Sequence, residues 1–258
     1  MTEKLLARGD SVAATLRQPD ALDGLLPTAG DRLWVGQLDV TDSDAVERVV
    51  EDAFGHFGTI DVLVNNAGYG TFGAVEELSR DQIHQAIATN LLRSIDVARA
   101  FIPHFRAQGG GRIIQISSAG GQTAYPGFSA YHAAKWGIEG FMEALAAEMA
   151  PFNIGVTIAQ PGATATGFTA GRDDGVILDA YSDGPVGQTR RGIVDGAFPI
   201  PNDPGKIADA IIASALDGNP PMRLPLGIDT DADLRAAYRR RLDAHDAQRD
   251  TTVSVGLD

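Results

Sequence analysis

Short runs of β-branched and apolar residues alternate with longer stretches of helical period along most of this chain. Residues 11–16, 33–40, 60–65, 112–117 and 154–159 read as strands. Between them, residues 43–56, 80–108 and 131–150 repeat apolar positions at intervals of three and four, the spacing of one helix face. Asp42 or Ser43 and Ser79 stand where N-caps of the first two helices belong. Strands that are nearly continuously apolar need cover on both faces. Their alternation with helices therefore predicts an α/β fold with a doubly wound parallel sheet. In such a sheet, ligands bind beyond the carboxyl ends of the strands.

Two segments break the rhythm. Residues 164–203 are rich in Gly, Asp and Pro and hold no clean period. That is too long for an ordinary connection, so they are expected to form a substrate-binding flap with some helix of its own. At the front, residues 2–8 read as the last turns of a helix that ends at Gly9, a C-cap residue type. The strand and phosphate-binding turn that should precede that helix are missing from the given sequence. Met1 is therefore expected to be an internal methionine of a chain about 15–20 residues longer, the length of one strand and turn. With no internal repeat or linker, residues 1–258 are expected to form a single domain, incomplete at its N-terminus.

Composition narrows the function. The 258 residues are enough for one well-buried core, and 44% of them are hydrophobic. A formal net charge of −13 argues against nucleic acid as a partner, which requires clustered Lys and Arg. The basic run Tyr238-Arg239-Arg240-Arg241 lies among acidic residues and reads as a solvated helix face. There is no Cys, and the five His are not paired at ligand spacing, so no metal site is expected. Neither a membrane-length apolar run nor a signal-peptide pattern is seen, which makes a cytoplasmic enzyme the expectation.

Several residues carry chemistry. Tyr131 and Lys135 stand four apart, hence on one face of a helix. A free phenol titrates near ~10. A neighbouring ammonium is expected to lower that value and make the phenol a usable acid/base; an exposed pair on an amphipathic helix gives the same spacing. Ser118 ends the strand at 112–117, where its hydroxyl would face a ligand or simply form a turn before Gly120-Gly121. Asn65-Asn66-Ala67-Gly68 ends the strand at 60–65 with small residues that permit close approach of a cofactor, or that form a plain turn. Asn90 is polar within an apolar helical stretch, either a helix-bending position or a placed hydrogen-bonding group. Pro161-Gly162, followed by Thr164 and Thr166, closes the strand at 154–159 as a rigid turn or a loop start.

In this order, NNAG at 65–68, Asn90, ISS at 116–118, YHAAK at 131–135 and PGATAT at 161–166 resemble the short-chain dehydrogenase/reductase family. The likeness is greatest to its hydroxysteroid-dehydrogenase-like and ketoreductase-like members, and NNAG separates the chain from the nucleotide-sugar epimerase branch. The resemblance implies a Rossmann-type fold and hydride transfer between NADP(H) and a carbonyl or secondary alcohol. It implies that Tyr131 moves the hydroxyl proton and that Lys135 tunes Tyr131 and bonds the nicotinamide ribose. Ser118 would orient the substrate oxygen, and Asn90 would support a water-linked proton path. Asn66, Ala67 and Gly68 would line the adenosine side of the cofactor, and Asp39 and Val40 its adenine ring. Pro161, Gly162 and Thr164 would meet the nicotinamide carboxamide and phosphate.

NAD users place an acid at the end of the strand that here closes with Leu16, whereas an Arg accommodates the extra phosphate of NADP. Leu16 followed by Arg17 thus predicts a preference for NADP(H) over NAD(H). The family's Thr-Gly-x-x-x-Gly-x-Gly turn is missing. The rival to an enzyme is therefore a truncated or non-catalytic protein on the same scaffold, with impaired cofactor binding. Within residues 168–200, Phe168, Val176, Ile177, Leu178, Tyr181 and Phe198 suit a hydrophobic small-molecule substrate, or serve as core beneath the flap. The helix at 231–248 is a candidate homo-oligomer contact.

Overall fold

Local sequence accounts for most of the elements. The computed structural model describes residues 1–40, 42–168 and 171–256. Its first half runs α1 (Thr2–Arg8), β1 (Val12–Leu16), α2 (Leu26–Ala29), β2 (Leu33–Gln37), α3 (Ser43–Phe57), β3 (Val62–Asn65), β4 (Thr71–Phe72), α4 (Arg80–Ile87) and α5 (Arg93–Ala107). There follow β5 (Gly111–Ile116), α6 (Ser129–Met149), β6 (Ile154–Pro161), β7 (Asp173–Asp174), α7 (Pro185–Val194), α8 (Pro204–Leu216), β8 (Arg223–Leu226), α9 (Ile228–Asp246) and α10 (Arg249–Val253). Asp42 caps α3 by accepting from the Ala45 N–H. Ser79 and Gln82 form a reciprocal capping box on α4. Gly9 ends α1 in the left-handed conformation, φ 97°, as its residue type predicts.

Strands β3, β5, β6 and β8 form a parallel sheet in the order β3-β5-β6-β8. Alternation along β5 sends Ile113 to one face and Ile114 to the other, and both are fully buried. Ile113 joins Val46 and Phe54 of α3, Phe105 of α5, Ile138 and Met142 of α6, and Ile158 of β6. On the opposite face Ile114 packs with Ala159 and with Ile211 of α8. Cover on both faces is what the apolar strands required.

Two expectations need correction, and one strand lies outside them. The strand read at 33–40 stops at Gln37, so Asp39 and Val40 lie just beyond its carboxyl end. The single helix read at 80–108 is divided by a π-helical turn, Ala88–Leu92, because Asn90 at its centre spends its side chain on other partners. The run Arg223-Leu-Pro-Leu was not read as a strand. Four residues with an internal proline carry little signal, but β8 is the last strand of its sheet, where proline is tolerated.

Among the described residues, β1 and β2 pair only with each other, in a separate parallel ladder. No residue of α1 or β1 is fully buried. Helix α1 is held by polar contacts, Lys4 to Asp209 of α8 and Arg32 to the carbonyl of Leu6. Residues 164–203 contain α7 and are tied down by the two-residue β4–β7 ladder. The buried Glu77 carboxylate clamps the same segment by accepting from the Leu178 N–H and from Arg190.

Candidate active site

The site lies where β3, β5 and β6 end and α6 begins. Ser118 follows β5, half-buried, and its Oγ accepts from the Gly120 N–H at 3.0 Å. Tyr131 and Lys135 occupy successive turns of α6 and are both buried. The Lys135 ammonium donates to the Ile116 carbonyl at 3.1 Å and stands 5.7 Å from the centroid of the Tyr131 ring. Phe128 and Phe168 pack edge-on against that ring, with centroids at 6.4 and 5.8 Å.

Burial dominates the electrostatics. It pushes the Tyr131 phenol up to about 12, while a hydrogen bond from Ser118 pulls the other way. It pushes the Lys135 ammonium down to about 8, opposed by the Glu139 carboxylate. Burial therefore outweighs the lowering expected from Lys135, and the net shift of the phenol is upward. Both groups occupy the same dry site, where each favours its neutral form, and the ammonium spends a donor on Ile116. Tyr131 thus holds a proton to give.

Asn90 is fully buried. Its Nδ2 donates to the carbonyls of Tyr69 and Ala86, and its Oδ1 accepts from the Tyr69 N–H. This ties the π-helical turn to the NNAG segment. A Cβ on Gly68 would lie 2.6 Å from Asn90 Oδ1 and 3.7 Å from Lys135 Nζ, so only glycine fits there. Asn90 is thus a placed hydrogen-bonding group. Asn66, Ala67 and Gly68 are exposed at the end of β3, while Asn65 is buried and donates to the Ser94 carbonyl.

Ser118, Tyr131, Lys135, Asn90 and Gly68 are thereby brought together. Pro161 is the last residue of β6, with Gly162 and Thr164 just beyond it, and the ladder of β6 with β5 puts Ala159 opposite Ile116. Asp229 of α9 holds this turn by accepting from the Ala163 N–H at 2.7 Å and from Asn202. Arg17, Asp39 and Val40 belong to the other ladder, at the carboxyl ends of β1 and β2. Arg17 and Asp39 are exposed, and Val40 packs against the main core.

Two buried side chains escaped the sequence reading. His132 bridges the Ser118 loop, its Nε2 accepting from the Tyr125 N–H while Nδ1 faces the Gly120 carbonyl at 2.8 Å. That pattern is met by the neutral Nδ1–H tautomer, and burial holds the imidazole below its usual range. Glu139, one turn beyond Lys135, accepts from Ser117, Gln122 and Gln160. Its place eight residues after Tyr131, on the same helix face, was the available signal.

The exposed backbone at the end of β3, beside a buried ammonium, fits a nicotinamide dinucleotide laid across the strand ends. Comparison with known proteins agrees with this geometry. A family model described as short chain dehydrogenase matches residues 1–176. Oxidoreductase BOA17 of Botryotinia fuckeliana is 35% identical over 230 residues, 89% of this chain and 84% of the relative. The 3-ketodihydrosphingosine reductase of Bacteroides thetaiotaomicron is 33% identical over 228 residues, 87% and 81% of the two chains. A crystal structure of a short-chain dehydrogenase from Streptomyces avermitilis superposes with a TM-score of 0.92 at 35% identity, covering 99% of this chain and 93% of that one. With the Rossmann-type fold and these relatives together, the chain belongs to the short-chain dehydrogenase/reductase family, as an oxidoreductase acting on CH–OH groups or the corresponding carbonyls.

Proposed function

We propose that the chain reduces hydrophobic ketones or aldehydes with NADPH, and reverses the reaction on secondary alcohols, using Ser118, Tyr131 and Lys135. The observation that carries this reading is a buried phenol brought together with a serine hydroxyl at the strand ends, 5.7 Å from a buried ammonium. Bound dinucleotide supplies the hydride. Ser118 donates to the carbonyl oxygen and Tyr131 delivers its proton to the alkoxide that forms. Lys135, as ammonium, stabilises the phenolate left behind. Asn90 holds the Gly68 backbone against Lys135.

On the cofactor side, Asn66, Ala67 and Gly68, together with Pro161, Gly162 and Thr164, form the near wall, with Asp39 and Val40 at the adenine end. Arg17 after Leu16 supports NADP over NAD, since a guanidinium can grip phosphate bidentately. Leu16→Asp should move preference toward NAD, and an unchanged affinity ratio would count against this assignment. On the substrate side, the flap at 164–203 presents Phe168 against Tyr131 and leaves Val176, Ile177 and Phe198 exposed. A relative named for a keto substrate is in keeping with a bulky hydrophobic ketone. A cytoplasmic enzyme of one domain, with α9 as the candidate oligomer contact, completes the proposal.

The split between the β1–β2 ladder and the main sheet favours a second reading, a non-catalytic scaffold with impaired cofactor binding. NADPH fluorescence titration, followed by a screen of steroid, aromatic and acyl ketones, separates the two. Binding and turnover that Tyr131→Phe lowers by about 10²–10⁴-fold support the enzyme. No binding, or a fully active Tyr131→Phe, refutes it.

A further inference from the structure

Glu139 is 1% exposed, deep beneath the site. Its Oε1 accepts from Ser117 Oγ at 2.7 Å and from Gln160 Nε2 at 3.0 Å. Its Oε2 accepts from Gln122 Nε2 at 2.6 Å, Gln160 Nε2 at 2.9 Å and Arg223 Nε at 3.3 Å. Every partner is a donor, so the pocket is built for the ionised carboxylate. Burying a charge is costly unless it is paired and hydrogen-bonded, and here both conditions hold.

The origin of these donors gives the cluster its meaning. Ser117 immediately precedes Ser118, and Gln122 follows the turn after it. Gln160 immediately precedes Pro161-Gly162, and Arg223 opens β8. One carboxylate therefore joins the ends of β5 and β6 to β8, from the helix that carries Tyr131 and Lys135. A side chain on Gly121, the last residue of the 3-10 turn Ala119–Gly121, would collide with Glu139 Oε1 and with Ser117 Oγ, which explains a glycine at a position where no positive φ demands one.

We propose that Glu139 is a positioning residue, fixing the strand ends that carry Ser118 and Pro161 and setting a buried carboxylate one helical turn from the buried Lys135 ammonium. The proposal rests on the reductase reading for its catalytic consequence, but the link to Lys135 can be measured without turnover. The charged and titratable groups around the pair are few. Tyr131 and Glu143 lie on the same helix, Arg223 comes from β8 and bridges Glu139 to Glu143, and Tyr238 and Arg241 come from α9. Glu139 favours the Lys135 ammonium against its burial.

The chain has only three lysines, at 4, 135 and 206. Labelling them at Cε with ¹³C and titrating by NMR gives three signals, and the one lost in Lys135→Arg is that of Lys135. In wild type it should titrate near about 8. In Glu139→Gln it should titrate lower, and in Arg223→Met, which leaves the carboxylate unopposed, higher. The alkaline limb of kcat for carbonyl reduction should move to lower pH in Glu139→Gln. A Lys135 titration unmoved in both variants overturns the proposal, whatever happens to the melting temperature. Should Glu139→Gln not fold, the absence of an upward shift in Arg223→Met overturns it alone. A wild-type chain without reductase activity whose Lys135 still responds to Glu139→Gln would sink the reductase reading and leave the positioning role standing.

Discussion

Replacing Lys135 with methionine should make the protein more stable and abolish its activity. The ammonium is buried and titrates near about 8 instead of 10.5, so its charged form costs about 3 kcal/mol more in the folded state than in the unfolded chain. Methionine has nearly the same length and carries no charge. Against the gain stands the lost bond to the Ile116 carbonyl, about 1 kcal/mol; the attraction of Glu139 is already contained in the shift. A net gain of about 1–2 kcal/mol corresponds to a rise in Tm of about 3–6 °C at neutral pH. The pH dependence follows from the sign of the shift. Below about 8 the lysine is protonated whether folded or not, and the full cost is present. Between there and 10.5 the unfolded chain binds the extra proton, so wild-type stability recovers and the gap between the proteins closes. Scanning calorimetry at several pH values, with NADPH turnover in parallel, tests this. A variant that melts below wild type, or a gap that widens with pH, would refute the account of Lys135 as a costly buried ammonium.

Three further outcomes are expected. Asn90→Ala leaves the N–H and carbonyl of Tyr69 without their partner and should cost about 2–3 kcal/mol in urea unfolding; through Gly68 it should also raise the KM for NADPH. Phe105→Ala empties a fully buried position between α3 and the sheet, and should cost about 3–5 kcal/mol by the same measurement with turnover chemistry intact. Tyr131 is raised to about 12, so the unfolded chain ionises first; stability should fall above pH 10, and Tyr131→Phe should remove that part of the alkaline loss.

Much of this architecture is legible before folding. The two caps, Asp42 and Ser79, act within three residues of themselves, and strand and helix periods reflect which side of a local element meets the core. The pairing of Tyr131 with Lys135 on one helix face follows from spacing alone. The π-helical turn at Ala88–Leu92 was not legible, because it depends on a bond from Asn90 to a loop 21 residues away. Strand β8 was missed for a similar reason: its pairing with β6 supplies the order that its four residues lack.

The sequence by itself determined the order of the main strands and helices through β6, the parallel α/β class and the identity of the groups that can move a proton. Only the tertiary structure decided their ionisation. A phenol and an ammonium four residues apart have no fixed pKa until neighbours exclude water, and here burial separates them in the direction opposite to simple charge pairing. It also brought Ser117, Gln122, Gln160 and Arg223 to one carboxylate, from segments with no shared period. Periodicity is a property of near neighbours along the chain, whereas dielectric environment and hydrogen-bond geometry belong to neighbours in space.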